Sequence, residues 1–261
     1  MAQLKSRVKR LLGWPEMSHH SAAPVPPSAR PEPSLDGPAR ELLARAKAYY
    51  WFHSIDLGNG VITPGSKSVD LLRAEANAIF GPLDLRSKSV LDIGAWNGNF
   101  SFEAKRRQAA RVLATDHHCW TPEVKGRDTF QLAKATLNLE IDELDIDVPE
   151  LTPDRVGRFD VVLFLGVFYH LPDPIQALHH VAALTKEVAV IESHLDLANV
   201  ERPAMVFYPG SELNNDHTNW WGPNRQCMEA LLRLVGFTRI TYQPHPTVGP
   251  ARGIFHAYKQ P

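Results

Sequence analysis

From about residue 38 onward, short apolar runs alternate with stretches of helical periodicity. Leu42, Leu43, Ala46 and Tyr50 recur at helical spacing, and a second helix is predicted from Val69 to Phe80, with Leu72, Ala76 and Ile79 on one side and Gly81-Pro82 as its stop. Val90-Leu91-Asp92-Ile93 reads as a strand that runs into a loop with Gly94 and Gly98, and a helix starts near Asn99. Further strands are expected at Arg111–Asp116, Ile141–Val148, Phe159–Leu165 and Val188–Ile191. Phe159-Asp160-Val161-Val162-Leu163-Phe164-Leu165 is almost wholly apolar, as a parallel strand covered on both faces requires. Asp173 and Pro174 open a helix continued by Ile175, Leu178, Val181 and Leu184. Pro223–Val235 is predicted helical, and Phe237–Tyr242 with Gly253–Tyr258 form a final antiparallel pair. Strands alternating with helices define an α/β fold with a mostly parallel sheet.

With 261 residues, 44% of them hydrophobic, the chain can bury one large domain. Residues 1–37 contain Pro15, Pro24, Pro26, Pro27, Pro31 and Pro33 among Ser and Ala, and are expected to be a disordered basic, Pro-rich tail ahead of a domain at 38–261. The opening Leu4–Leu12 is basic and amphipathic but brief, without the apolar core of a secretory signal. It reads as a solvated helix, or as a contact for an acidic partner or membrane surface. No run is apolar enough to span a bilayer. A formal net charge of −1 gives no support for nucleic acid in bulk, although a local patch is compatible with it. Cys119 and Cys227 make no disulfide framework, so a reducing cytoplasm is the expected compartment.

The chemistry concentrates at predicted strand ends. A strand, a glycine turn and a helix start follow each other at Asp92-Ile93-Gly94-Ala95-Trp96-Asn97-Gly98 in the order an α/β nucleotide site requires, with an ordinary glycine-containing βα turn as the alternative. The dinucleotide pattern G-x-G-x-x-G is absent, because Ala95 and Trp96 follow Gly94, so a nicotinamide oxidoreductase ranks low. Asp116 ends the second sheet strand 24 positions after Asp92, at the distance of a ribose-binding acid. His117-His118-Cys119 follows as a loop beside the ribose; a metal site needs further ligands, and none is expected. Asp147-Val148 stands where an acid and an apolar wall meet adenine. Gly166-Val167-Phe168-Tyr169-His170 follows the central strand, at the sheet edge where ligands bind. His170 is a candidate base, with a structural histidine as the alternative.

Two segments frame these motifs. Tyr49-Tyr50-Trp51-Phe52 precedes a Gly58-Asn59-Gly60 turn, and reads either as a strand packed on the core or as an aromatic lid, residues 38–82, over a cationic ligand. Residues 192–222 form no standard helix and read as an inserted cap. In it Tyr208, Trp220 and Trp221 are candidates for substrate walls or for packing within the cap, and His194 and His217 are candidates for substrate contact and second choices, after His170, for the base.

The four strand-end motifs in this order resemble the class I S-adenosylmethionine-dependent methyltransferases. The Gly166–His170 loop and Phe207-Tyr208-Pro209-Gly210 resemble more narrowly the group of bacterial tRNA wobble-uridine carboxymethyltransferases. The resemblance implies a Rossmann-like seven-stranded sheet, helices on both faces and the last strand antiparallel. It implies S-adenosyl-L-methionine as cofactor, with Asp92, Gly94 and Gly98 framing its methionine part, Asp116 its ribose, and Asp147 and Val148 its adenine; Ala95, Trp96, His117 and Gly166 adjoin these positions. Tyr169 matches a tyrosine that binds the extra carboxylate of carboxy-S-adenosylmethionine in the tRNA enzymes. They also use a lysine and an arginine, for which Lys67 and Arg252 are candidates. The expected function is methylation of a small-molecule hydroxyl; modification of tRNA and a non-catalytic nucleoside-binding module are the alternatives.

Overall fold

The computed structural model describes residues 35–260. The expected tail at 1–37 falls almost wholly outside the described residues. Helix α1 (Gly37–Lys47) starts on Asp36, whose carboxylate accepts from the Ala39 amide at 2.8 Å. Strands β1 (Trp51–His53) and β2 (Gly65–Lys67) pair in parallel and lead into α2 (Val69–Phe80), capped by Ser68. The main sheet begins with β3 (Ser89–Ile93), followed by α3 (Asn99–Arg106), β4 (Arg111–Asp116), α4 (Gly126–Thr136) and β5 (Asp142–Asp145). The short α5 (Pro153–Val156), β6 (Phe159–Leu165), α6 (Pro174–Leu184) and β7 (Thr185–His194) come next. A two-stranded ribbon of β8 (Met205–Phe207) and β9 (Trp221–Pro223) then precedes α7 (Arg225–Leu234), β10 (Arg239–His245) and β11 (Gly249–Tyr258).

Seven strands form one sheet in the order β10-β11-β7-β6-β3-β4-β5. All its pairings are parallel except those of β11, which runs antiparallel to β7 and to β10. The core divides by side-chain parity, as period-two strands demand. Val90, Val112, Val161, Leu163 and Val190 join α1, α2, α3 and α4 on one face. Leu91, Leu113, Val162, Phe164 and Ile191 join α6 and α7 on the other. Several element boundaries differ from the sequence-based expectation: β7 is longer at both ends, and β10 and β11 extend toward their shared turn. The ladder at β5 ends at Asp145, because Asp147 turns the chain by accepting from the Val148 amide at 2.7 Å. Helix α7 starts at Arg225, since Asn224 caps it and Pro223 is held in β9.

From β3 the chain goes to β4 on one side, and β6 lies on the other. That reversal opens a crevice at the carboxyl ends of the strands, where ligands of open α/β sheets bind. No described helix is long and apolar enough to cross a membrane.

Candidate active site: a cavity across the strand ends

A cavity of about 550 Å³ opens along this edge. Its walls come from the ends of β3, β4, β6, β7 and β11, the turn after β5, α2, and the 168–171 and 218–220 segments. From β4 to β11 is four strand intervals, roughly 19 Å at about 4.8 Å each.

One end is built by local chain geometry. Gly94 leaves β3 with φ +79°, and a Cβ there would sit 2.5 Å from the Val167 side chain. Only glycine fits that turn. The amides of Gly94 and Ala95 both donate to the Thr115 carbonyl, at 2.8 and 3.0 Å. Trp96 takes a left-handed conformation, φ +47°, a strained state for a bulky residue. Both of its backbone polar groups are fixed: its amide donates to Asp116 Oδ2 at 2.9 Å, and its carbonyl accepts from Trp120 Nε1 at 2.8 Å. The other Asp116 oxygen accepts from the Cys119 amide at 2.8 Å. Asp116 therefore ties the turn after β3 to the turn after β4, with acceptor capacity left on each oxygen. Burial raises its carboxyl, and it also pushes Asp92, which accepts from Ser101 Oγ at 2.6 Å, up to about 6. Ile146 and Val148 supply an apolar wall beside Asp147. His117 is exposed on the same rim and pairs with Asp145 at 2.8 Å, which raises its imidazole.

The other end is charged and assembled from distant parts of the chain. Arg252 on β11 forms a two-point ion pair with Glu192 on β7, at 2.6 and 2.8 Å, and donates to the Tyr169 hydroxyl at 2.9 Å. Burial disfavours the Glu192 carboxylate, but the guanidinium outweighs it and the carboxyl is held low. Gly166, φ +72°, faces this group: a Cβ there would stand 3.6 to 3.9 Å from Tyr169, Glu192 and Arg252. Nearby, Glu75 Oε1 accepts from Lys67 Nζ and pairs with His245 Nε2, both at 2.7 Å. His245 Nδ1 accepts from the Thr247 and Val248 amides, so Nε2 carries the proton that goes to Glu75. Lys67, Glu75, Glu192, His245 and Arg252 all line the cavity, so the two ion-paired groups share it.

His170 stands between the two ends. Its Nδ1 is 2.9 Å from the Thr218 carbonyl, which can only accept, so Nδ1 carries the proton and Nε2 the lone pair. Burial pushes this imidazole down to about 4, so it is neutral at physiological pH. The 218–221 segment is bound to the same loop twice more: the Trp220 amide donates to the Tyr169 carbonyl at 2.8 Å, and Trp221 Nε1 to the Leu171 carbonyl at 2.9 Å.

Of the residues named from the sequence, Asp92, Gly94, Ala95, Trp96, Asp116, His117, Asp147, Val148, Gly166, Tyr169, His170 and Trp220 line the cavity. Gly98 does not. It starts α3 at φ +88° and is packed against Phe130 and Phe102, so its small size serves the core. Tyr208, His194, His217 and Trp221 are also absent from the wall. The Tyr208 hydroxyl donates to Asp196 and lies 3.3 Å from His194 Nε2, a cluster outside the cavity. His217 is exposed, and Trp221 packs on Phe207 with its indole N–H turned to Leu171. Lys67 and Arg252 both line the cavity. Sequence reasoning missed Glu75, Glu192, His245 and His53. Their partners lie up to 170 positions away, and no local pattern signals them. Among the described residues no group of three or more His, Cys, Asp or Glu side chains is arranged to hold a metal ion.

The fold and this crevice define a class I methyltransferase. A family model described as a methyltransferase domain matches residues 70–242, and the chain belongs to that family, whose methyl donor is S-adenosylmethionine. Among curated relatives, the tRNA U34 carboxymethyltransferase of Campylobacter jejuni subsp. jejuni serotype O:6 is 34% identical over 156 residues, 59% of this chain and 50% of the relative. The enzyme of the same name from Desulfotalea psychrophila is 27% identical over 167 residues, 62% of this chain and 49% of that one. The chain thus spans about half the length of the curated relatives it matches. Among solved structures, the N-terminal domain of EvdMO1 with SAH (S-adenosylhomocysteine) bound superposes with a TM-score of 0.60 at 21% identity, over 84% of this chain and 95% of that one. The 1,6-didemethyltoxoflavin-N1-methyltransferase of Burkholderia thailandensis gives 0.53 at 20% identity, over 73% and 79%. At these identities the superpositions establish the shared fold.

The donor fits the residues present. The Gly94 turn lines the cavity, Asp116 keeps free lone pairs for two hydroxyls, and Val148 offers an apolar face. When bound there, S-adenosylmethionine supplies an electrophilic methyl group.

Proposed function

We propose that this protein methylates a hydroxyl of a small polar acceptor. In this reading Asp116 holds the ribose, Asp147 and Val148 the adenine, and the Gly94–Trp96 turn the methionine part of the donor. The acceptor occupies the end lined by Lys67, Glu192, Tyr169 and Arg252. The observation that carries it is that this end is enclosed and charge-balanced: each cation is already joined to a buried carboxylate, Lys67 to Glu75 and Arg252 to Glu192. Such a wall donates hydrogen bonds to neutral oxygens without presenting excess charge of either sign. Lys67 Nζ stands over the Phe52 ring and makes one hydrogen bond among the described residues, to Glu75, which leaves donor capacity for an acceptor oxygen.

His170 is the base. Its neutral imidazole takes the acceptor's proton at Nε2 as the oxygen attacks, while the Thr218 carbonyl holds the ring through Nδ1. The remaining task of the chain is alignment and exclusion of water. Alignment alone contributes roughly 7–11 kcal/mol in well-oriented reactions. The test is to incubate the protein with methyl-labelled donor and fractionated host extract. Label in a small-molecule fraction is expected; label confined to RNA contradicts the proposal.

A second reading has support of its own. The relatives named above act on tRNA U34, and Lys67, Tyr169 and Arg252 share one wall of the cavity. That set matches the donor carboxylate partners implied by the resemblance. It predicts transfer from a carboxylated donor to uridine 34 of tRNA, with tRNA binding that weakens steeply as salt rises.

A further inference from the structure

Asn97 is fully buried within the turn that follows β3 and does not line the cavity. Its Oδ1 accepts from two consecutive amides of β1, Phe52 at 2.8 Å and His53 at 3.2 Å. Its Nδ2 donates to Thr129 Oγ1 at 2.5 Å. The amide orientation follows from counting donors. Backbone amides can only donate, so they need the oxygen. The Thr129 hydroxyl already gives its proton to the Gly126 carbonyl at 2.7 Å, so its oxygen must accept. One side chain therefore hydrogen-bonds three elements together: β1, the turn after β3, and α4.

The consequence lies at the cavity. Strand β1 pairs only with β2 and is no part of the main sheet, yet Phe52 and His53 line the cavity. Phe52 lies flat on Trp96, with ring centres 4.7 Å apart and an angle of 13°. Trp96 is the strained residue immediately before Asn97, and its amide is held by Asp116. The His53 ring meets Phe100 edge-on, at the start of α3.

We propose that Asn97 is a positioning residue that registers the N-terminal segment onto the donor turn as a lid, so that donor binding and docking of Phe52 and His53 are one linked event. The inference rests on the reading of this cavity as the donor site. Whatever orders the Gly94–Trp96 turn fixes Asn97, and Asn97 fixes β1. By linkage, whatever loosens β1 weakens the donor by the same factor.

The test uses the full chain and SAH as probe, with calorimetry for affinity and amide hydrogen exchange at residues 51–53. In the wild type, SAH binds and slows exchange at Phe52 and His53. In Asn97→Ala, the two amides exchange freely and SAH binds about tenfold more weakly or worse. Asn97→Asp keeps an acceptor for both amides and loses only the donation to Thr129. It restores protection and holds SAH affinity within about threefold of wild type, although both variants melt earlier. A merely structural role predicts instead that affinity follows melting temperature in both variants alike, and that result overturns the proposal. Unchanged SAH affinity in Asn97→Ala overturns it too. Should Asn97→Ala not fold, Asn97→Leu, which keeps about the same volume and offers no acceptor to either β1 amide, carries the same test. A threefold to tenfold loss of affinity with faster exchange at residues 52 and 53 is expected, and no change in either overturns the proposal. If the wild type itself gives no heat with SAH, the reading of the cavity is what fails.

Discussion

The two ends of the cavity are built in opposite ways. At the end proposed for the donor, every hydrogen-bond partner of the Asp116 carboxylate and of the Gly94 amide belongs to one β3-turn-α3-β4-turn unit, and backbone amides do most of the bonding. At the charged end, side chains from α2, β7, β10 and β11 meet across 60 to 170 positions of sequence. The first arrangement is fixed once the chain folds locally into a strand, a turn and a helix. The second exists only when the whole sheet has closed. A donor site shared across a family fits the first construction, and an acceptor site particular to one member fits the second.

The comparison breaks most visibly at Asp116. Asp116→Ala leaves the buried Trp96 and Cys119 amides without acceptors. Loss of each costs about 1–3 kcal/mol, so destabilisation of about 2–6 kcal/mol and loss of measurable SAH binding are expected, by thermal melt and calorimetry. Changes beyond the adenosyl end should spare donor affinity. His170→Gln should lower kcat about 10²-fold in the label-transfer assay, with SAH affinity within about threefold. The pH profile checks the role of this histidine. An imidazole held near 4 is already neutral above pH 5, so no activity limb is expected near 6.5.

His53 gives a smaller effect of known sign. Burial holds its imidazole at about 3, against an ordinary value of 6.5. Between those values the unfolded chain binds a proton that the folded chain does not. Stability attributable to this group is therefore present above pH 6.5 and is lost as pH falls, by about 1.4 kcal/mol per unit. Relative to its value at pH 7.5, wild-type stability minus that of His53→Phe should drop by about 2 kcal/mol at pH 5 in urea melts. Asp92, raised by burial to about 6, works in the opposite direction in both proteins and cancels in the difference. The smallest effect is expected at Glu75→Gln. This substitution keeps the shape, weakens the hold on Lys67, and should slow transfer about tenfold with SAH affinity unchanged.

The same contrast explains what was legible in the sequence. Hydrophobic periodicity revealed the helices and parallel strands, because each buries a stripe or both faces. Gly94, Asp116, Asp147 and the Gly166–His170 loop were legible because position relative to a strand end determines where such residues point. Gly98 carries the same motif signal but serves the Phe102–Phe130 packing, a distinction visible only in three dimensions. Tyr208, His194, His217 and Trp221 have the composition of a substrate wall, but none lines the cavity: Tyr208 and His194 meet each other and Asp196, His217 is exposed, and Trp221 packs on Phe207 in the β8–β9 ribbon. Glu75, Glu192 and His245 had no signal at all. A carboxylate on a helix and a histidine at a strand bulge are ordinary until the fold sets them 2.7 Å apart.

The central claim is that the rim of β3, β4 and β5 receives an adenosyl donor without the glycine spacing a pyrophosphate needs. Calorimetric titration with SAH, and in parallel with NAD, tests it most directly. The account predicts saturable micromolar binding of SAH, lost in Asp116→Ala, and no heat from NAD. Absence of heat with SAH, or equal binding of the two, would contradict it.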